Sequence, residues 1–319
     1  MLGAFYHGLI SSSRPTAGSD TPWRVASGSY IGTGSALSIA GVGFQPQFLI
    51  IKATGSTAND DPIFAFSGMT TLAAVTPAAT VVDPVTAPVS DIVTAYNSDG
   101  FTLGTNLVAN TSGQQYYYFA WKGGAGQVAL GTYVGNAVDN RDVISGLTFQ
   151  PRMVFIRRRN LTTASVAFRL ESNTGDQSYQ VSAFASTTNQ IQAFNPDGVQ
   201  VGTNGSVNAS AASYDWIAFN PPVNQVIFSS YTGVGTDNYN ASSGYTWQPE
   251  LVFIKGNTTQ LPVIRGTVHT GDSTTRINNS VANAANIIQT FNSDGFQVGT
   301  NASVNSATTT YHYLMMRNV

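Results

Sequence analysis

Three ten-residue stretches, NSDGFTLGTN (97–106), NPDGVQVGTN (195–204) and NSDGFQVGTN (292–301), repeat one phrase along the chain. Asp and Gly tolerate the positive φ angles that tight hairpin turns require, so each Asp-Gly pair is predicted to form the centre of such a turn. The residues that follow are predicted to form a short strand that ends in a second Gly/Asn turn. The predicted repeat turns are Asp99, Gly100, Asp197, Gly198, Asp294 and Gly295.

The repetition extends well beyond this phrase. An apolar strand after a Gln-Pro pair precedes each copy, as FQPQFLIIK (44–52), FQPRMVFIR (149–157) and WQPELVFIK (247–255). An aromatic strand follows each copy, as YYYFAWK (116–122), YDWIAFN (214–220) and YHYLMMR (311–317). A period near one hundred residues is too long for a solenoid repeat and fits a small domain. We therefore predict an N-terminal arm over 1–24 and three homologous domains over 25–122, 123–220 and 221–319.

The three units are predicted to be all-β, because helical periodicity is scarce and Gly, Thr, Asn and Val dominate. The short apolar run Phe48–Ile51 and its counterparts suit strands buried on both faces. In the aromatic strand Tyr116 and Tyr118 should face opposite to Phe119 and Trp121, with the same alternation in the other copies. About 95 residues with short strands fit a β-sandwich of jelly-roll or lectin-like type.

Short segments connect the three units. The connections GGAGQ (123–127) and PPVNQ (221–225) align without a gap, and their shortness predicts units that are held close together.

The first copy carries extra residues in TTLAAVTPAATVVDPVTAPVSD (70–91), which is predicted to be a loop insertion.

The composition excludes several classes of function. Charged residues make up 9% of the chain, against about 25% in an average protein, and the net charge is −2. Nucleic-acid binding is not expected without a basic footprint. There is no cysteine, so disulfides and thiolate metal sites are excluded. No apolar run is long enough for a membrane span and no export signal is visible, so a soluble protein without membrane contact is predicted.

Catalytic and metal-binding patterns are also lacking. His7, His269 and His312 are scattered, and a surface or loop position is predicted for such residues. Asp60, Asp61, Asp176 and Asp272 are expected to lie in loops, although the sequence alone leaves open a pair of carboxylates that meet in space. No cofactor, no metal and no enzymatic activity are predicted.

Two clusters leave alternatives open. Arg157, Arg158 and Arg159, with Arg152 nearby, are expected to form a solvated or ion-paired strand end, and the alternative is a docking point for an acidic neighbour. The aromatic residues Tyr118, Trp216 and Tyr313 are expected to pack in the core, and the alternative is a platform on which sugar rings stack.

The segments GFQPQFLIIK, DGFTLGTN and YYYFAWK of the first copy resemble a repeat family found in structural proteins of tailed bacteriophages. The third copy departs from the pattern where YHYLMMR replaces the Trp-Lys ending. The resemblance implies fibre, appendage or surface proteins with lectin-like β-sandwich modules and brings no catalytic residues.

The expected function is that of a non-enzymatic virion structural protein on the tail or capsid surface, which assembles with copies of itself and with other virion proteins. The alternative is a lectin-like receptor-binding protein that recognises host surface glycans. The arm residues Leu2, Phe5, Tyr6, Leu9 and Ile10 are expected to dock on a neighbouring subunit, because an exposed apolar arm is a liability on a free monomer.

Overall fold

The computed structural model describes residues 23–55, 62–67, 80–81, 91–159, 166–277 and 282–318. Within these ranges the chain forms antiparallel β-strands and three helices of one turn each, so the all-β prediction is confirmed. The strands fall into three consecutive sets of eight, and each set forms one five-stranded and one three-stranded sheet.

The first set has its five-stranded sheet in the order β1-β8-β3-β4-β5 and its three-stranded sheet in the order β2-β7-β6. Its elements are β1 (Arg24–Ile31), β2 (Leu37–Ala40), β3 (Phe48–Ala53), β4 (Ile63–Phe66), β5 (Thr80–Val81), β6 (Val93–Asn97), β7 (Gly100–Leu103), α1 (Leu107–Asn110) and β8 (Gln115–Lys122). The predicted loop insertion over 70–91 is therefore wrong in one respect, because β5 lies inside it and pairs with β4.

The second set repeats this topology with the sheet orders β9-β16-β11-β12-β13 and β10-β15-β14. Its elements are β9 (Val128–Val134), β10 (Arg141–Ile144), β11 (Met153–Arg158), β12 (Val166–Leu170), β13 (Tyr179–Gln180), β14 (Ile191–Asn195), β15 (Gly198–Val201), α2 (Gly205–Asn208) and β16 (Ser213–Phe219).

The third set has the orders β17-β24-β19-β20-β21 and β18-β23-β22. Its elements are β17 (Val226–Thr232), β18 (Tyr239–Ser242), β19 (Leu251–Gly256), β20 (Val263–Gly266), β21 (Thr275–Arg276), β22 (Ile288–Asn292), β23 (Gly295–Val298), α3 (Ala302–Asn305) and β24 (Thr310–Met316).

Each set has an apolar cluster of its own to which both of its sheets contribute. In the first set Leu49 and Ile51 of the five-stranded sheet pack with Phe101 and Leu103 of the three-stranded sheet. Corresponding clusters occur in the second and third sets. Strand β3 is buried along its whole length, as predicted for a strand covered on both faces.

A fourth apolar cluster, called the shared core below, draws side chains from all three sets. Most of them lie on the faces of the five-stranded sheets that point away from the cluster of their own set, because side chains alternate along a strand. The buried members are Trp23, Val25, Phe48, Ile50, Phe64, Phe66, Phe119, Trp121, Met153, Phe155, Val166, Phe168, Leu170, Tyr179, Val181, Ile217, Phe219, Val226, Leu251, Phe253, Ile264, Ile277, Leu314 and Met316. The predicted alternation of the aromatic strand is confirmed, because Phe119 and Trp121 face the shared core while Tyr116 and Tyr118 face the cluster of the first set.

The three sets close into a ring around the shared core. The centroids of aromatic side chains lie 4.9 Å apart for Phe48–Phe155, between the first and second sets, and 5.4 Å apart for Phe168–Phe253, between the second and third sets. They lie 5.9 Å apart for Phe119–His269, between the first and third sets. At the boundary between the first and third sets, the Asn318 side-chain amide accepts from the Val25 N–H at 2.8 Å and donates to the Val25 carbonyl at 2.7 Å. The two ends of the described chain therefore meet, and Trp23 and Arg24, at the end of the predicted arm, belong to the fold.

Candidate functional site

The repeated phrase forms hairpins, but the turn lies one residue earlier than predicted. Asn97 pairs with Gly100 in the ladder, so Ser98 and Asp99 are the two turn residues. Asn195 pairs with Gly198 and Asn292 with Gly295 in the same way. The prediction that Asp-Gly forms the centre of each turn is therefore wrong, because the glycine already belongs to the second strand of the hairpin.

The glycine is required because the neighbouring strand approaches it closely. A Cβ atom on Gly198 would lie 1.8 Å from the carbonyl oxygen of Ile144, and one on Gly100 would lie 2.0 Å from that of Ile39. Gly100 and Gly295 also have φ angles of 143° and 155°, which L side chains rarely adopt.

The aspartate of the phrase ties the hairpin to the loop that follows the first strand of the small sheet. The Asp99 carboxylate accepts from the backbone N–H groups of Gly41 at 3.0 Å and Gly43 at 2.6 Å. The Asp197 and Asp294 carboxylates accept in the same way from Gly146 and Gly244. These carboxylates hold backbone, and the described residues contain no group of three or more His, Cys, Asp or Glu that could hold a metal ion.

The asparagine that ends the phrase caps a helix instead of forming the predicted second turn. The Asn106 side chain accepts from the N–H of Val108 at 3.0 Å, and Asn204 and Asn301 cap α2 and α3 in the same way. The last residue of each helix is a buried asparagine. In the second set Asn208 donates to the carbonyls of Val138 and Gly202 and accepts from the N–H of Asn136. It therefore joins the loop between β9 and β10 to the segment between β15 and α2, a role that the sequence reading missed although Asn recurs at this place in all three copies.

The aromatic residues considered as a sugar platform are buried. Tyr118 is 7% exposed, Trp216 8% and Tyr313 3%. Tyr118 packs against Phe101, with ring centroids 5.4 Å apart, inside the cluster of the first set. The three residues lie where the packing interpretation expects them, and no open ring face remains for stacking.

A basic residue follows the apolar run of the middle strand in each five-stranded sheet, and all three are buried. Lys52, Arg157 and Lys255 are 1%, 3% and 0% exposed. The Lys255 ammonium donates to the carbonyls of Gly256, Thr258 and Gln260 at 3.0, 2.8 and 2.7 Å, so it closes the loop after β19. Burial lowers the pKa of Lys255 to about 7.

Two members of the arginine cluster, Arg152 and Arg159, form ion pairs within the fold. Arg152 contacts Glu171 at 2.6 Å and Arg159 binds the buried carboxylate of Asp215 through two nitrogens. Burial lowers the pKa of Arg157 to about 10, although the negative charge of Asp215 opposes that shift. These contacts agree with the ion-paired strand end.

His269 and His312 are buried where sets meet. His269 lies in the loop between β20 and β21, as predicted, whereas the predicted surface or loop position is wrong for His312, which lies in β24. His269 is 6% exposed, and its ring lies 4.5 Å from that of Tyr117 in the first set. His312 is 4% exposed and its Nδ1 lies 3.1 Å from the Ser172 hydroxyl of the second set. Burial lowers the pKa of each imidazole to about 4. Packing between repeats accounts for these positions, and a single-copy pattern carries no signal for it.

The remaining candidates are placed as follows. The Asp176 and Asp272 carboxylates accept from the backbone N–H groups of Asn189 and Asn286. Residues Leu2, Phe5, Tyr6, His7, Leu9, Ile10, Asp60 and Asp61 lie outside the described residues. Among the described helices none is long and apolar enough to cross a membrane.

Comparison with known proteins connects one part of the chain to a family. Residues 25–132 match a family model described as a domain of unknown function (DUF7483). This range covers the described strands β1 to β8 and most of β9. No curated protein matches the chain. The first repeat and its junction with the second are thus similar to a family for which no function is described.

Proposed function

We propose that the chain is a non-enzymatic structural protein of a bacteriophage particle, built from three β-sandwich domains over 25–122, 123–220 and 221–319. The observation that carries this proposal is the shared core. Each domain would expose part of an apolar face if it stood alone, including Phe48, Phe155 and Phe253. A block of this kind suits a building element better than a set of independently moving modules.

The free energy of apolar burial favours a molecule in which the three sets stay packed together. Full burial of a side chain such as Phe, Leu or Ile contributes about 1.5–3 kcal/mol, and the shared core buries such side chains from all three sets. Separation of the sets would return those side chains to water. Their dense packing resists shape change, since interiors are packed like organic crystals.

The polar groups in and around the shared core support a structural role as well. Lys255 closes its loop, Arg159 pairs with Asp215, and His312 contacts Ser172 across a boundary between sets. These side chains are committed to bonds inside the fold. Groups that serve catalysis commonly sit in a cleft where a substrate can reach them.

The partners in this proposal are copies of the chain and other virion proteins at the tail or capsid surface. Within it, residues 1–22 act as a docking arm whose apolar members Leu2, Phe5, Tyr6, Leu9 and Ile10 bind a neighbouring subunit. The resemblance of the repeats to phage structural proteins and the low charge of the chain support this assignment.

The test is the protein content of purified particles from the phage that encodes the chain. We expect peptides of the chain in gradient-purified virions by mass spectrometry, and gold-labelled antibody bound at one fixed place on the particle. Absence of the protein from intact virions, together with its presence as a free protein in the lysate, would contradict the structural role.

A further inference from the structure

An open groove lies where the first and third sets meet. Its volume is about 370 Å³. The polar side chains that line it include Arg24, Ser27, Glu250, Thr267 and Asn318. The size falls at the lower end of the range of about 300–1,000 Å³ that is usual for small-molecule sites.

At the boundary between the second and third sets, large side chains occupy the position that is equivalent to the groove. Phe228 on β17 pairs with Leu314, as Ser27 on β1 pairs with Phe119, so Phe228 and Ser27 are equivalent. The Arg152 guanidinium lies 4.9 Å from the centroid of the Phe228 ring.

At the boundary with the groove the residues equivalent to this stacked pair are different. Ser27 occupies the position of Phe228. Glu250 occupies the position of Arg152, since each of these two residues directly follows the proline of its Gln-Pro pair. The pseudo-symmetry is therefore broken here, and the stacked pair is replaced by a hydroxyl and a carboxylate that line an open groove.

The groove presents hydrogen-bonding groups of both kinds. The Ser27 and Thr267 hydroxyls lie 3.3 Å apart, and the Glu250 carboxylate is held by the Asn318 amide. Arg24 is exposed, and within the described part of the chain its side chain forms no hydrogen bond or ion pair. A carboxylate offers several acceptor sites and a guanidinium offers a fork of donors.

We propose that this groove binds a saccharide of one or two neutral sugar rings. Adjacent hydroxyl groups of a sugar are both donors and acceptors, so they match the Glu250 carboxylate, the Arg24 guanidinium and the two hydroxyls. One positive and one negative side chain give the groove no net charge, which disfavours a strongly charged ligand. Val25, Val42 and Phe44 also line the groove but are only 1%, 6% and 6% exposed, so binding would depend on the polar groups.

This inference goes beyond the structural role, and each can fail without the other. It gives the alternative function, recognition of host glycans, a site that does not use the buried Tyr118, Trp216 and Tyr313. If the protein is present in virions but binds no sugar, the structural proposal stands and the sugar-binding proposal fails. If the protein binds sugar but is absent from virions, the sugar-binding proposal stands and the structural proposal fails.

The test uses ligand-observed NMR on the full chain with a panel of glucose, galactose, mannose, N-acetylglucosamine and their disaccharides at millimolar concentration. We expect saturable binding of at least one sugar. Glu250→Gln should weaken that binding about tenfold or more, the scale of a lost hydrogen bond to a charged group. Thr267→Trp should abolish it, because the side chain at 267 is exposed and a large ring there covers the groove.

The matched control is Glu171→Gln, since Glu171 is the other glutamate of the chain and lies at the boundary that carries Phe228. It should leave sugar binding unchanged, and melting curves should show that all variants fold. No saturable binding by any sugar of the panel would overturn the proposal. Binding that survives Thr267→Trp, or that appears only after residues 1–22 are deleted, would overturn it as well.

Discussion

Phe48 and Phe155 stack with ring centroids 4.9 Å apart and an angle of 23° between their planes, although they belong to different repeats. Both lie on the middle strand of a five-stranded sheet and both are almost fully buried. The face of each sheet that points away from its own cluster is therefore also interior. The repeats are joined by a core and not only by the short connections of the chain.

The glycine of the repeated phrase should tolerate no side chain. Gly198→Ala is expected to lower the free energy of unfolding by about 1–3 kcal/mol, the cost of overpacking, because the new Cβ meets the Ile144 carbonyl. Denaturant titration measures the change. The control is Gly205→Ala, whose Cβ would find no atom closer than 3.9 Å and which should be neutral or slightly stabilising. Equal effects of the two substitutions would contradict the close-approach explanation.

The buried asparagine at the end of each helix should be among the most sensitive polar positions. Asn208→Ala leaves the carbonyls of Val138 and Gly202 and the N–H of Asn136 without their partner. We expect a loss of about 2–4 kcal/mol in the free energy of unfolding, since unsatisfied buried groups are costly. Asn195→Ala removes one bond to the Asp142 side chain near the surface and should cost about 0.5 kcal/mol or less. A loss below about 1 kcal/mol for Asn208→Ala would show that water replaces the side chain.

Acid should weaken the fold through His269 and His312. Burial holds both pKa values at about 4, below the value of 6.5 in an unfolded chain. The unfolded state therefore binds protons first as the pH falls, and stability decreases between pH 6.5 and pH 4. Each histidine contributes up to about 3 kcal/mol to this decrease. Unfolding titrations at a series of pH values measure the slope.

Carboxylates also titrate in part of this window, so variants isolate the contribution of the histidines. His312→Gln and His269→Gln keep a neutral polar side chain and should each flatten the decrease above pH 4.5. If the slope of both variants equals that of the parent protein, the histidines are protonated in the folded state and the assigned burial effect is wrong.

Removal of residues 1–20 should leave the ring of sheets folded, because the shared core begins at Trp23. Under the proposed function, the truncated chain loses incorporation into particles or assembles less stably. Thermal melting and the amount of protein in purified virions measure the two effects separately. Unchanged melting with unchanged incorporation would show that residues 1–20 are not a docking element.

The repeat, the all-β class and the alternation of the aromatic strand could be predicted from the sequence. Each depends on local information, such as the positions of Tyr116, Tyr118, Phe119 and Trp121 along one strand. The exact position of the turn could not be predicted, because Asp-Gly is a strong local turn signal wherever it occurs. The need for Gly198 comes instead from Ile144, more than fifty residues away in the sequence.

The shared core could not be predicted because both faces of a middle strand read as apolar whatever covers them. The run Met153–Ile156 indicates a strand buried on two sides, but it does not say that Phe155 meets Phe48 of another repeat. For the same reason the sequence does not predict that His269 and His312 are buried between repeats. The groove beside Ser27 depends on how the first and third sets pack together, which the local sequence does not encode.

The central claim is that the three repeats share one core, and scanning calorimetry of the full chain with Phe155→Ala tests it most directly. We predict one transition whose calorimetric and van't Hoff enthalpies agree. Phe155→Ala should shift this whole transition to lower temperature, because a Phe-to-Ala change in a core costs about 3–5 kcal/mol. Separate transitions in the parent protein, of which only one moves in the variant, would show that the repeats unfold independently and would contradict the claim.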